Sequence, residues 1–236
     1  MLTQRFLKRA QSYQNHAIVQ NKMASELIAL LRQVSHTTNF GRGFEFGAAQ
    51  GEFSKILLEH FTFQSLLCND INNYAQSFVG LTKVDFACFD MNDAPKILKN
   101  FTFDLITSNA CLQWLKQREV LSFLPSILES GGILALSSFG KRNLWQIKQI
   151  CNVGLGYLEL EDYQNILAPC KILHLSTQQY NLQFSNALEA FRHLSLSGVN
   201  AIEKGFFLSK KILQEFEARY NNTLTYESVL VLARKY

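Results

Sequence analysis

Residues 44–53 read Phe-Glu-Phe-Gly-Ala-Ala-Gln-Gly-Glu-Phe, and no other stretch limits the fold as much. Residues 42–47 form an apolar-biased run that reads as a strand. It empties into a turn with small residues at alternate positions, Gly47, Ala49 and Gly51, and a helix-forming run from Phe53 to His60 follows at once. Small residues at such a turn let the backbone approach a ligand closely. In open α/β sheets, ligands bind beyond the carboxyl ends of the strands, near the point where strand order reverses.

The flanking pattern fits such a sheet. Apolar residues recur at helical spacing from Ala17 to Val34 (Ile18, Met23, Leu27, Leu30, Leu31), and polar residues at 35–39 end that helix. Strands are expected at Ser65–Asp70, Val84–Asp90, Phe103–Ser108 and Ile133–Phe139. A helix from Val120 to Leu128 should stop at Gly131-Gly132. Strands alternating with helices over the first 140 residues predict a parallel, doubly wound α/β sheet. Its strands read as apolar runs without strict alternation, which implies cover on both faces. Further on, 141–151, 185–195 and 207–220 read as helices, Leu173–Phe184 as extended and Leu224–Arg234 as a strand. The chain has no repeats, no low-complexity tract and three prolines, so a single domain spanning 1–236 is expected, a size that suits its 236 residues.

Composition removes several classes of function. Five cysteines without a C-x-x-C pair, and five histidines without zinc spacing, predict neither a disulfide framework nor a metal site. Cys68 and Cys88, in apolar strand runs, read as buried free thiols. No apolar run reaches membrane-span length, and residues 1–10 are basic and amphipathic without a signal-peptide core, so a cytoplasmic chain is expected. The net charge of +4 is mildly basic, and its clusters (Lys8-Arg9, Lys141-Arg142, Lys210-Lys211) do not make the stripe that nucleic acid needs.

The spacing of the turn discriminates between cofactors. A dinucleotide fingerprint wants G-x-G-x-x-G, and counted from Gly47 its third glycine would fall on Glu52. The adenosylmethionine turn, acid-x-G-x-G-x-G, fits as Glu45, Gly47, Ala49, Gly51, with alanine for one glycine. A carboxylate before the turn attracts a sulfonium and an amino group but would repel a pyrophosphate. Asp70 ends the second strand, where it can accept both ribose hydroxyls, and Asp90 ends the third, within reach of an adenine amino group. Each acid also reads as a helix cap or turn residue. Three at consecutive strand ends favour the ligand.

Longer stretches carry a resemblance. Phe6-x-x-Arg9-Ala10-x-x-Tyr13-x-x-His16-Ala17-x-Val19-Gln20, then Phe103-Asp104-Leu105-Ile106-x-Ser108-Asn109-Ala110-x-Leu112-Gln113-Trp114, then Ser138-Phe139-Gly140-x-x-Asn143-Leu144 resemble the malonyl-[acyl-carrier-protein] O-methyltransferases of biotin synthesis. Ser197-Gly198-Val199-Asn200-Ala201 and Leu224-Thr225-Tyr226 extend the likeness over nearly the whole chain. The resemblance implies a class I, Rossmann-like fold with a mostly parallel seven-stranded sheet. It also implies an N-terminal helical lid (1–38), a cofactor core (40–140) and a substrate side (141–236). It implies S-adenosyl-L-methionine held by Gln20, Glu45, Gly47, Ala49, Gly51, Asp70, Ile71, Asp90, Met91 and Asn109. The substrate would be a malonyl thioester on an acidic acyl carrier protein, methylated on its free carboxylate. Ala49 stands where the family carries glycine, and Ser195 where relatives carry lysine, with Arg192 or His193 as substitutes.

An ionised carboxylate needs no general base, so the expected task is alignment in a dry pocket. Tyr13, on the lid, is the expected hydroxyl donor and Arg142, after the fifth strand, the expected guanidinium. Trp114, Phe139 and Arg192 complete the expected substrate contacts. The alternatives are a methyltransferase of another small molecule or RNA, and a catalytically silent adenosylmethionine-binding subunit.

Overall fold

The computed structural model describes residues 17–197 and 208–236. Its seven strands are β1 (Asn39–Phe46), β2 (Thr62–Asp70), β3 (Val84–Cys88), β4 (Phe103–Asn109), β5 (Leu128–Phe139), β6 (Cys170–Gln183) and β7 (Thr223–Lys235). They form one sheet in the order β3-β2-β1-β4-β5-β7-β6. The five from β3 to β5 are parallel, with Phe44 of β1 opposite Leu67 of β2 and Ile106 of β4. Strand order reverses between β1 and β4, so the expected ligand position lies where the 47–51 turn leaves β1.

The described residues divide into two compact units. The larger comprises Gln20–Ser138, Leu158–Ser176 and Val229–Tyr236. Two apolar clusters cover the faces of its sheet, because successive side chains on a strand point opposite ways. Phe44, Ile106, Leu134 and Val231 belong to one cluster, and their neighbours Leu105, Ile133 and Leu232 to the other. That two-sided burial explains why the strands read as apolar runs. Helices α1 (Ile18–Ser35) and α2 (Glu52–His60) supply Leu27, Leu31 and Leu57 to the second cluster. On the first, α4 (Gln117–Phe123) and α6 (Leu160–Ile166) contribute Val120, Leu121 and Tyr163, beside the single-turn α3 (Ala94–Ile97). Leu57 has no exposed surface, and truncating it to alanine should cost about 2–5 kcal/mol. Arg234 closes α1 by donating to the Val34 carbonyl at 2.6 Å.

Three expectations change. Helix α4 ends at Phe123, a tight turn through Pro125 follows, and β5 begins at Leu128, so Gly131-Gly132 lies inside the strand. The pairing slips there, from Phe103 opposite Leu128 to Leu105 opposite Ile133, and Gly131 takes φ 77 in the resulting bulge. Cys88 is exposed, because β3 is the edge strand; Cys68, on β2, is buried as expected. Helix α6 had no counterpart in the sequence reading. Its start is fixed by a reciprocal cap, Glu159 accepting from the backbone at Asp162 and Asp162 accepting from the backbone at Glu159.

The smaller unit comprises Phe139–Tyr157, the described part of Thr177–Ser228 and the described residues up to Val19. Its portions of β6 and β7 run antiparallel. Thr223 bonds Gln183, Thr225 bonds Asn181, and Ser228 bonds the Gln178 carbonyl, so numbers rise on one strand as they fall on the other. Helices α5 (Trp145–Cys151) and α7 (Ala187–Leu196) pack on α8 (Lys210–Tyr220) through Trp145 against Tyr220 and Phe191 against Phe216. Among the described residues, no helix is long and apolar enough to cross a membrane.

Candidate functional site

The turn after β1 is pinned to the end of β2. Ala48 N–H donates to the Asn69 carbonyl at 2.9 Å, and Ala49 N–H to Asp70 Oδ2 at 3.1 Å. Gly47 has φ 70, and a Cβ there would collide with Cys111 Sγ and Cβ, so conformation and space both exclude a side chain. Ala49 takes the same left-handed region, φ 47, which an L-residue adopts at a cost of about 1–2 kcal/mol.

Three carboxylates surround this turn. Glu45 is 1% exposed, and among the described residues no cation pairs with it. Burial pushes its carboxyl from 4.5 to about 7, against hydrogen bonds from Ser54 and Cys68. Asp70 is half-buried. Its Oδ1 accepts from Asn72 N–H at 2.9 Å and, more weakly, from Asn72 Nδ2 at 3.4 Å. With Ala49 on Oδ2, a carboxylate of four lone pairs keeps accepting capacity on Oδ2, and on Oδ1 if the long Asn72 contact yields. Burial raises its carboxyl, while the Asn72 and Ala49 bonds hold it down. Asp90 accepts from Asn92 N–H at 2.9 Å and so caps the turn Met91–Asp93, leaving Oδ2 uncommitted in that bond. Cys111 lies against Gly47 and within range of two of these charges. Burial raises its thiol to about 12, and the charges of Asp70 and Asp90 push the same way.

The remaining expected cofactor residues also lie in the larger unit. Asn109 ends β4, accepts from Ser137 Oγ at 2.5 Å and donates to the Gln20 carbonyl at 3.2 Å, so its amide ties α1 to β5. Gln20 is buried in α1. Ile71 is exposed beside Asp70, whereas the Met91 side chain sits in the first core cluster. Trp114 closes the turn Leu112–Trp114, half-buried.

In the smaller unit, the Phe139 ring is 1% exposed and packs 6.2 Å from the Tyr226 ring. Arg142 and Arg192 are both exposed, and neither guanidinium has an ion pair among the described residues. His193 instead turns inward, with Nε2 3.0 Å from Tyr226 Oη. Tyr13 lies outside the described residues. No group of His, Cys, Asp or Glu suited to a metal occurs among the described residues. Sequence reasoning missed Asn72, Ser137 and Glu227. Of these only Glu227 left a signal, as a single carboxylate inside an apolar strand.

Residues 44–136 match the family model described as a methyltransferase domain. A malonyl-[acyl-carrier protein] O-methyltransferase of Calditerrivibrio nitroreducens is 31% identical over 100% of this chain and 97% of its own length. One from Bacteroides helcogenes is 31% identical over 99% and 97%. The chain belongs to the malonyl-[acyl-carrier protein] O-methyltransferase family. The family's relatives thus extend over both units and beyond the 44–136 core. Solved structures agree on the fold alone. The YcgJ protein of Bacillus subtilis matches with a TM-score of 0.64 at 13% identity, covering 89% of this chain and 98% of that one. The N-methyltransferase NodS of Bradyrhizobium japonicum, in complex with S-adenosyl-L-homocysteine, matches at 0.53 and 13%, covering 94% and 98%.

Proposed function

We propose that this chain is a cytoplasmic, S-adenosyl-L-methionine-dependent O-methyltransferase. It converts the free carboxylate of a malonyl group on acyl carrier protein to its methyl ester, the opening step of pimeloyl synthesis for biotin. The observation that carries this reading is the full-length likeness to relatives that bear this activity in their names. One domain performs it, with residues 1–38 as lid, 40–140 as cofactor core and 141–236 as substrate side.

The residues present fit the cofactor. Glu45 is a buried carboxylate with no cation of its own among the described residues, an expensive arrangement unless a ligand supplies the charge. Asp70 keeps accepting capacity for ribose hydroxyls beside the exposed Ile71, and Asp90 keeps Oδ2 for an adenine amino group. Gly47, Ala49 and Gly51 bring the main chain close, while Gln20, Met91 and Asn109 complete the binding set. When bound, adenosylmethionine supplies an electrophilic methyl group on a positively charged sulfur.

The chain's own task is orientation. With a carboxyl pKa near 4, the acceptor is already an anion at neutral pH, so no side chain has to remove a proton. Arg142 fixes the plane of that carboxylate through two parallel hydrogen bonds, with Tyr13 as a hydroxyl donor and Arg192 as a second cation. Trp114 and Phe139 keep water from the acceptor, which favours a step in which anion and cation become neutral. A mildly basic chain suits an acidic carrier protein. Mass spectrometry of malonyl-carrier protein incubated with adenosylmethionine tests this: a gain of one methyl group on the malonyl carboxylate is expected. An unmodified malonyl group, with another acceptor methylated by the same preparation, would overturn it.

A further inference from the structure

Glu227 is the second buried carboxylate of the described residues that has no cation. It lies in β7, 8% exposed between the buried Tyr226 and Ser228, and no ion pair reaches it among the described residues. A carboxylate so placed must be held by hydrogen bonds. Its Oε2 accepts the backbone N–H of Arg142 at 2.8 Å, and a Cβ on Gly140 would stand 2.5 Å from the same oxygen. The carboxylate therefore lies directly over Gly140, where a Cβ would force it to shift.

The main chain of the same residue holds the same turn. Gly140 N–H donates to the Glu227 carbonyl at 2.9 Å, and Glu227 N–H to Asn143 Oδ1 at 3.3 Å. One residue further, Leu144 N–H donates to the Thr225 carbonyl at 2.7 Å. Asn143 is fixed in turn by Tyr157 Oη at 2.9 Å. The backbone of residues 140–144 thus hangs on residues 225–227. The Arg142 guanidinium remains exposed, without an ion pair among the described residues. A fixed main chain under an uncommitted cation is the arrangement a ligand-binding arginine needs, because less freedom is lost when the carboxylate arrives.

We infer that Glu227 is a positioning residue: its carboxylate, by accepting the Arg142 backbone N–H over Gly140, sets the 140–144 turn and so the direction in which Arg142 meets the acceptor. This rests on the reading of Arg142 as the acceptor's anchor. It is the hydrogen bond that matters, so an amide oxygen can replace the carboxylate.

The experiment compares the full-length chain with Glu227→Ala, Glu227→Asp and Glu227→Gln. The readouts are amide hydrogen exchange over residues 140–144, KM and kcat for malonyl-carrier protein, and adenosylhomocysteine affinity. Glu227→Ala should expose the Arg142 amide to exchange and raise KM about tenfold, the order expected for losing one buried acceptor. Adenosylhomocysteine affinity should stay within about twofold of wild type, and Glu227→Gln should restore both protection and KM. If Glu227→Ala does not fold, Glu227→Asp, one methylene short of the amide, should show the same exposure and the same rise in KM. Unchanged exchange in the Ala or Asp variant overturns the inference, as does a Gln variant as impaired as Ala, or a kcat loss at unchanged KM. If the wild-type chain methylates no malonyl-carrier protein, the functional reading fails separately, and hydrogen exchange still decides whether Glu227 holds the turn.

Discussion

Replacing Glu45 by Gln tests the electrostatics of the glycine turn. Burial lifts this carboxyl from 4.5 to about 7. At ~1.4 kcal/mol per pH unit, the ionised group is worse off in the folded chain than in the unfolded one by roughly 3 kcal/mol. Between pH 4.5 and about 7 the folded chain keeps the proton that the unfolded chain has lost. The free protein therefore holds this stability in full below pH 4.5 and loses it as pH rises to about 7. Glu45→Gln removes the titration, so urea denaturation should find the variant more stable than wild type above pH 7, by up to ~3 kcal/mol. Adenosylmethionine should behave in the opposite sense. A cation beside Glu45 favours the ionised form, so binding below pH 7 must expel a proton, and affinity should fall by up to about tenfold per pH unit. Above pH 7 the wild-type chain should bind tighter than Glu45→Gln, whose affinity should show none of this titration. Adenosylhomocysteine, which lacks the sulfonium charge, should show a shallower slope. Calorimetry in two buffers of different ionisation enthalpy counts the proton directly. Equal slopes in both proteins, or no proton released at about pH 6, would refute the reasoning.

Asp70→Ala should weaken adenosylmethionine binding by about 1–3 kcal/mol in calorimetry, since it removes the proposed ribose acceptor and frees the Ala49 and Asn72 amides; unchanged affinity would remove Asp70 from the site. Gly47→Ala should reduce cofactor affinity at least tenfold, and a second Cys111→Ala change should not restore it, because the Cys111 Cβ also occupies the space. Arg142→Ala should raise KM for malonyl-carrier protein without altering adenosylhomocysteine affinity, and Arg142→Lys should recover little, because an ammonium lacks the fork. Normal turnover of Arg142→Ala alongside a loss in Arg192→Ala would move the anchor to α7.

The sheet was legible because its signal is local. Each strand of the larger unit carries a short apolar run; β2 and β4 end at the polar Asp70 and Asn109, and β1 runs through Glu45 into Gly47. Where a conformation depends on a partner far along the chain, the signal disappears. Gly131-Gly132 reads as a helix stop, yet the mismatch between β4 and β5 makes it a bulge. Cys88 lies in an apolar run like Cys68, and its exposure follows only from β3 being the edge. Asn109 was legible as a residue at a strand end, but not as a strut between Ser137 and Gln20, which are 28 and 89 residues away. Glu227 was overlooked because its partner is a backbone amide 85 residues earlier, and no side-chain motif records a backbone amide.

Glu45 and Glu227 pose the same physical problem and meet it differently. Each is a carboxylate removed from water with no cation among the described residues to neutralise it. Glu227 accepts a main-chain N–H from a turn that its own backbone also holds, so its compensation is internal and present before any ligand arrives. Glu45 has only Ser54 and the weak Cys68 thiol, whose Sγ lies 3.9 Å from Oε2, and burial outweighs both in raising its carboxyl. Below about pH 7 a retained proton neutralises it; for the ionised form, on the proposed reading, compensation comes from outside and requires a positive charge. That requirement distinguishes an adenosylmethionine turn from a phosphate-binding one more sharply than the glycine spacing does, because a phosphate would deepen the deficit that a sulfonium removes.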